Sequence, residues 1–182
     1  MMANNNQVKV KVCGMTNLKD TLLAVEEGSD AVGFIFYKKS PRSVTMKLVR
    51  EIVLELPPFV DTVGVFVDET ADQINKIADY CNLDMVQLHG DESPTFCKRM
   101  RRRVIKAFRV IDMQSVKNIS NFQVSGFILD TFSESLHGGT GKVFDWNLAL
   151  PAKKFGPVIM AGGLTPNNVR QAIQRVRPYG VD

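Results

Sequence analysis

The chain has 182 residues, 45% of them hydrophobic, and a formal net charge of +4. That balance suits one sizeable globular core, lacks the dense basic face that nucleic-acid binding needs, and contains no apolar run near the roughly 20 residues of a membrane span. The three cysteines, Cys13, Cys81 and Cys97, form no Cys-x-x-Cys pair, and such a sparse, odd set reads as reduced thiols in a cytoplasmic protein.

Residues 1–7 lack the basic and apolar regions of a signal peptide and read as a flexible polar tail. From there the valines Val8, Val10 and Val12 alternate with Gln7, Lys9 and Lys11, the period-two signature of a strand that ends on Cys13 and Gly14. Asn17 is placed to cap a helix carrying Leu18, Leu22 and Val25, and Gly28 stops it. The second strand is read over Asp30–Phe36. After a basic loop containing Arg42, Leu48, Val49, Ile52, Val53 and Leu56 mark a helix ending before Pro57.

The pattern then repeats. Strands are read at 62–67, 85–89, 104–108, 126–130 and 157–161, and an eighth begins at 179–182. Helices are expected after Thr70, after Ser93-Pro94 with a basic end at Arg101–Arg103, weakly near Gln114–Asn118, after Trp146 but broken by Pro151, and after Thr165-Pro166. The strands are short, rich in Val, Ile and Phe, and separated by helices, as in parallel sheets buried on both faces. Eight such repeats over residues 8–182 predict a single (β/α)8 barrel; a doubly wound sheet is the alternative, without a Gly-x-Gly-x-x-Gly fingerprint to support it. Such barrels usually take about 250 residues. This sequence stops inside the eighth strand with no eighth helix, so it reads as truncated, with unpaired edges expected on the first and seventh strands.

In a barrel the carboxyl ends of the strands converge on one mouth, where chemistry is done. Cys13 stands there as a base or nucleophile, or else as a small core residue. Asp130 ends an otherwise apolar strand, as a general acid or a structural acceptor for loop amides. Gly162-Gly163 opens toward a helix, a bare-amide arrangement suited to phosphate or simply a tight turn. Arg42 can hold a carboxylate bidentately, or stand solvated beside Lys38 and Lys39. His89, following Gln87 on a strand, reads as a hydrogen-bonded structural residue, and no His/Cys spacing makes a metal set. The stretch His137–Lys142 is not a Walker A loop and reads as a lid over the mouth.

Taken in order, Val-Lys-Val-Cys-Gly-Met-Thr, Val-Gly-Phe-Ile-Phe, Ser-Pro-Arg, Val-Gln-Leu-His-Gly, Leu-Asp-Thr, Gly-Gly-Thr-Gly-Lys-x-Phe-Asp-Trp and Ala-Gly-Gly-Leu-Thr-Pro-Asn-Asn-Val closely resemble the phosphoribosylanthranilate isomerase family of tryptophan biosynthesis, over Val10 to Asp182. The resemblance implies an Amadori rearrangement of N-(5-phosphoribosyl)anthranilate to a 1-deoxyribulose, with Asp130 as general acid and Cys13 as general base. It further implies Arg42 on the anthranilate carboxylate, Gly162 and Gly163 at the phosphate, and Asp182 near the substrate. It calls for no metal or organic cofactor, for a phosphorylated small molecule as partner rather than nucleic acid or membrane, and leaves monomer and homodimer open. The family continues past its strand-eight Asp with a Ser-Ser-Gly loop and another helix, so this length is expected to be unstable or poorly active. A barrel fragment completed by another chain, and a different phosphosugar barrel enzyme, are the rival readings.

Overall fold

A computed structural model describes residues 7–131 and 145–182. The tail expected over 1–7, apart from Gln7, and the lid expected over 137–142 lie outside the described residues. Eight parallel strands close into a barrel in sequential order. They are β1 (Lys9–Cys13), β2 (Ala31–Ile35), β3 (Asp61–Phe66), β4 (Met85–Leu88), β5 (Arg103–Val110), β6 (Gly126–Thr131), β7 (Val158–Met160) and β8 (Gly180–Val181). The helices between them are α1 (Leu18–Glu26), α2 (Met46–Leu54), α3 (Ala71–Tyr80), α4 (Pro94–Cys97), α5 (Met113–Lys117) and α6 (Val169–Val176).

Local chemistry accounts for most boundaries. Asn17, Thr45, Thr70, Ser93 and Asp112 each turn a side-chain oxygen onto a backbone amide in the first turn of the next helix, satisfying a donor that the helix leaves open. Gly28 ends the α1 turn with φ +90°, a conformation that only glycine adopts without strain. The helix expected to be broken by Pro151 is two 3-10 turns that meet there, Trp146–Ala149 and Pro151–Lys154, because proline cannot donate the bond that would continue a helix through it. The Arg101–Arg103 run is not a helix end either, since α4 stops at Cys97. Arg101 and Arg102 reach Asp79 on α3, and Arg103 opens β5 and pairs with Asp61 at 2.9 Å.

The open edges expected on the first and seventh strands are absent. Gly180 and Val181 pair with Lys9 and Val10 on one side and with Ile159 and Met160 on the other. Two residues suffice because a staggered barrel needs only enough ladder on each side to remove the edge.

The barrel's two faces separate by alternation. Val32 and Phe34 pack with Val49 and Ile52 in the layer between sheet and helices, so Ala31, Gly33 and Ile35 face inward. Register places Lys11 beside Ala31 and Cys13 beside Gly33, which turns Lys11 and Cys13 inward too. Ile105, Ala107, Ile128, Ile159 and Ala161 form a separate apolar cluster that fills the centre. A cavity of about 280 Å³ opens at the amino-terminal mouth, but its charged groups are already matched, Lys9 with Asp30 and Arg103 with Asp61.

Candidate active site

The carboxyl-terminal mouth carries the reactive side chains, and Cys13 is its natural origin. It ends β1, beside Gly33. An alanine Cβ at position 33 would lie 2.9 Å from Cys13 Sγ and 3.1 Å from Lys11 Nζ. The bare glycine is therefore what lets a thiol and an ammonium share one corner of the barrel. Burial pushes the Cys13 thiol above its ordinary value, and the nearby Lys11 and Arg42 charges pull against that rise.

Lys11 is 6% exposed and points into the barrel. Its Nζ donates to Asp182 Oδ2 at 2.7 Å. Burial alone would lower its pKa, but the Asp182 carboxylate and the Cys13 sulfur outweigh this, and the ammonium is favoured. Asp182 is carried just past β8, where its amide donates to Met160 O at 2.9 Å. Its Oδ2 is taken by Lys11, while Oδ1 is buried and meets no hydrogen-bond donor among the described residues.

Arg42 reaches back from the loop after β2, and its Nη1 donates to Cys13 O at 2.9 Å. The guanidinium lies over Gly14, where a Cβ would come within 2.5 Å of Nη1 and where φ is +91°. Glycine thus serves both the turn and the close approach. Arg42 remains exposed, with its planar fork at the rim.

Across the mouth Asp130 sits near the end of β6. Its Oδ2 lies 3.3 Å from His89 Nε2, and His89 Nδ1 lies 3.1 Å from Gln87 Nε2. The imidazole therefore bridges the Gln87 amide and the Asp130 carboxyl, one ring nitrogen on each. Gln87 is 1% exposed, and β4 thus supplies a fixed mount for the acid on β6.

Between Asp130 and Asp182 lies the loop after β7. Gly162 and Gly163 take φ values of +73° and +68°. Asn168 holds this loop from both sides: Oδ1 accepts from Thr165 N at 2.8 Å and Nδ2 donates to Gly163 O at 2.9 Å. The expected Thr165-Pro166 helix start moves to Val169, because residues 166–168 form a turn and Asn168 spends its side chain on the loop rather than on a cap.

All six residues singled out in the sequence therefore belong to one end of the barrel. Cys13, Arg42 and Asp182 gather on the β1 side, Asp130 stands on β6, and the two glycines lie between. Sequence reasoning missed Lys11, although its two-residue spacing from Cys13 placed both on one face of the strand. It read His89 as structural, with no signal for the contact to Asp130. Among the described residues no cluster of three or more His, Cys, Asp or Glu side chains is arranged to hold a metal ion, and no helix is long and apolar enough to cross a membrane.

A closed parallel barrel whose strand ends collect a thiol, a carboxylic acid, an arginine and a glycine turn defines a (β/α)8-barrel protein built to work on a small polar molecule. A family model described as N-(5'phosphoribosyl)anthranilate (PRA) isomerase matches residues 10–182, and the chain belongs to that family. An N-(5'-phosphoribosyl)anthranilate isomerase of Geotalea uraniireducens is 55% identical over 174 residues, 96% of this chain and 86% of that protein. The crystal structure of the phosphoribosyl anthranilate isomerase of Thermotoga maritima superposes with a TM-score of 0.90 at 46% identity, covering 97% of this chain and 87% of that one. Another phosphoribosyl anthranilate isomerase, in complex with reduced 1-(o-carboxyphenylamino)-1-deoxyribulose 5-phosphate, superposes with a TM-score of 0.86 at 43% identity, over 97% of this chain and 86% of that one.

Proposed function

We propose that this chain converts N-(5-phosphoribosyl)anthranilate to 1-(2-carboxyphenylamino)-1-deoxyribulose 5-phosphate in cytoplasmic tryptophan biosynthesis, with Asp130 as general acid and Cys13 as general base. The observation that carries this reading is the placement of a thiol on β1 and a carboxyl on β6 at one mouth, in a chain of this family.

The reaction is an internal redox exchange between two carbons. Asp130 gives a proton to the furanose ring oxygen; the bond from that oxygen to C1 breaks, and the anilino nitrogen lone pair closes a C1=N iminium. The iminium acidifies the C2–H. The Cys13 thiolate takes that proton, the C2 electrons form the C1=C2 bond, and the nitrogen recovers its lone pair. The resulting enolamine moves its O2 proton to C1, leaving a ketone at C2. Carbon 1 is reduced, carbon 2 is oxidised, and no external electron carrier takes part. His89, 3.3 Å from Asp130 Oδ2, holds the acid in place. Arg42 takes the anthranilate carboxylate, the Gly162-Gly163 amides grip the phosphate, and the buried Asp182 Oδ1 accepts a sugar hydroxyl.

Steady-state isomerisation by Cys13→Ser and Asp130→Asn tests the two roles. A serine hydroxyl is far less acidic than a thiol, and an asparagine has no proton to give, so each variant is expected to lose about 100-fold or more in kcat. The thermal midpoint of each should stay near that of the parent. Normal turnover in either variant removes that residue from its role.

A further inference from the structure

We infer that Lys11 is a positioning residue of this site: its ammonium, itself held by Asp182, stands against the Cys13 sulfur and sustains the thiolate that takes the C2 proton. The inference rests on the reading of Cys13 as the base, and it adds a residue that the reaction scheme does not otherwise need.

Three features of the fold carry it. Lysine is among the costliest side chains to bury, yet Lys11 turns inward on β1, where only the strand's inner face is available to it. Its carboxylate partner accounts for a single N–H, at 2.7 Å, and an ammonium carries three. The second direction is toward the sulfur. Gly33 leaves a gap bounded by both atoms, its would-be Cβ 2.9 Å from Sγ and 3.1 Å from Nζ. That puts the two within about 6 Å, the range over which one charge governs another's ionisation.

Among the described residues, three charged groups face the thiol. From the β1 side it meets Lys11, from beyond β8 Asp182, and from the loop after β2 Arg42, whose Nη1 lies on the Cys13 carbonyl. Lys11 and Arg42 favour the thiolate, whereas burial and Asp182 oppose it. Asp182 therefore has a double effect. It keeps Lys11 charged and fixed, and it partly cancels that charge at the sulfur. The pair acts as a graded device rather than a simple cation.

Paired substitutions separate this from a structural role. The pH dependence of Cys13 alkylation by iodoacetamide, read by mass spectrometry on the Cys13 peptide of the full chain, reports the thiolate directly. Lys11→Gln keeps a hydrogen-bond donor for Asp182 but no charge, and the alkylation midpoint is expected to rise by about 1 pH unit or more. Lys11→Arg keeps both the charge and a donor for Asp182, and its midpoint is expected to stay within about 0.3 pH unit of the parent's. The acid limb of the kcat–pH profile of Lys11→Gln should move upward with its alkylation midpoint. Simple loosening of the corner would raise the midpoint of both variants alike, and that result, or an unmoved midpoint in folded Lys11→Gln, overturns the inference. If Lys11→Gln does not fold, the midpoint is read in Lys11→Met, which must likewise rise. Retained turnover in Cys13→Ala removes the base role itself, whereas an unmoved midpoint beside an inactive Cys13→Ala removes Lys11 alone.

Discussion

Gly33 carries as much of the site as the side chains beside it, because its missing Cβ is the space in which Cys13 and Lys11 meet. An alanine there would also press to 3.2 Å on the Cys13 Cα, which is backbone and yields less readily than a lysine tip. Overpacking of this kind costs about 1–3 kcal/mol. Gly33→Ala is therefore expected to lower kcat at least about 10-fold through displacement of the sulfur, an effect of the size that a 1 Å misplacement produces. Its KM should move less, since no substrate-gripping group is touched. Steady-state kinetics beside a thermal melt checks this, and a folded variant with unchanged kcat would contradict it. The same logic of local space applies at Gly14, where the Arg42 guanidinium occupies the volume that a side chain would need.

At the level of elements, the loop between β7 and α6, proposed above to grip the phosphate, takes its shape from one residue beyond the glycines. Asn168 ties Thr165 N and Gly163 O into one turn, and Gly162 and Gly163 supply its left-handed conformations. Asn168→Ala removes both bonds from a surface loop, so the fold should survive while the loop loses its set conformation. If the loop grips phosphate as proposed, the expected result is a several-fold rise in KM with kcat changed little, because such a grip contributes equally to ground and transition states. Inhibition by inorganic phosphate should weaken in parallel. A fall in kcat with constant KM would mean that the loop serves chemistry rather than binding.

For the molecule as a whole, neighbouring strands are stitched together by buried charge as well as by the ladder. Lys106 on β5 pairs with Glu92 at 3.1 Å, with side-chain exposures of only 4% and 2%. Its Nζ also donates to the carbonyls of Gly90 and Ala107 at 2.7 and 3.0 Å. Glu92 in turn accepts from the amides of Asp68 and Gly90, so the ends of β3, β4 and β5 are joined through one ion pair. Lys106→Met would leave the Glu92 carboxylate buried without its counter-charge, held by the two amides only, at a cost of about 3–5 kcal/mol, whereas replacing both partners with apolar residues should cost less. Chemical denaturation of the single and double variants measures the difference, and equal losses would refute the pairing account.

The sequence by itself determined what is local and periodic. The alternation of strands and helices predicted eight repeats and one mouth, and the caps at Asn17, Thr70 and Ser93 each form as their spacing required. The candidate residues at the strand ends followed from that periodicity, since a strand's carboxyl end is readable from where its apolar run stops. Only the tertiary structure decided which face of β1 turns inward. A period of two is the same whichever side is buried, and here Lys11 is enclosed while Val10 is 38% exposed. The sequence marked the start of an eighth strand, but not that Gly180 and Val181 alone would close the seam against β1 and β7, because that pairing joins the two ends of the chain. The same distance hid the Lys11–Asp182 pair, whose members stand 171 positions apart. Nothing in either neighbourhood marks them as partners; the register of a closed sheet is what brings that charge to the thiol.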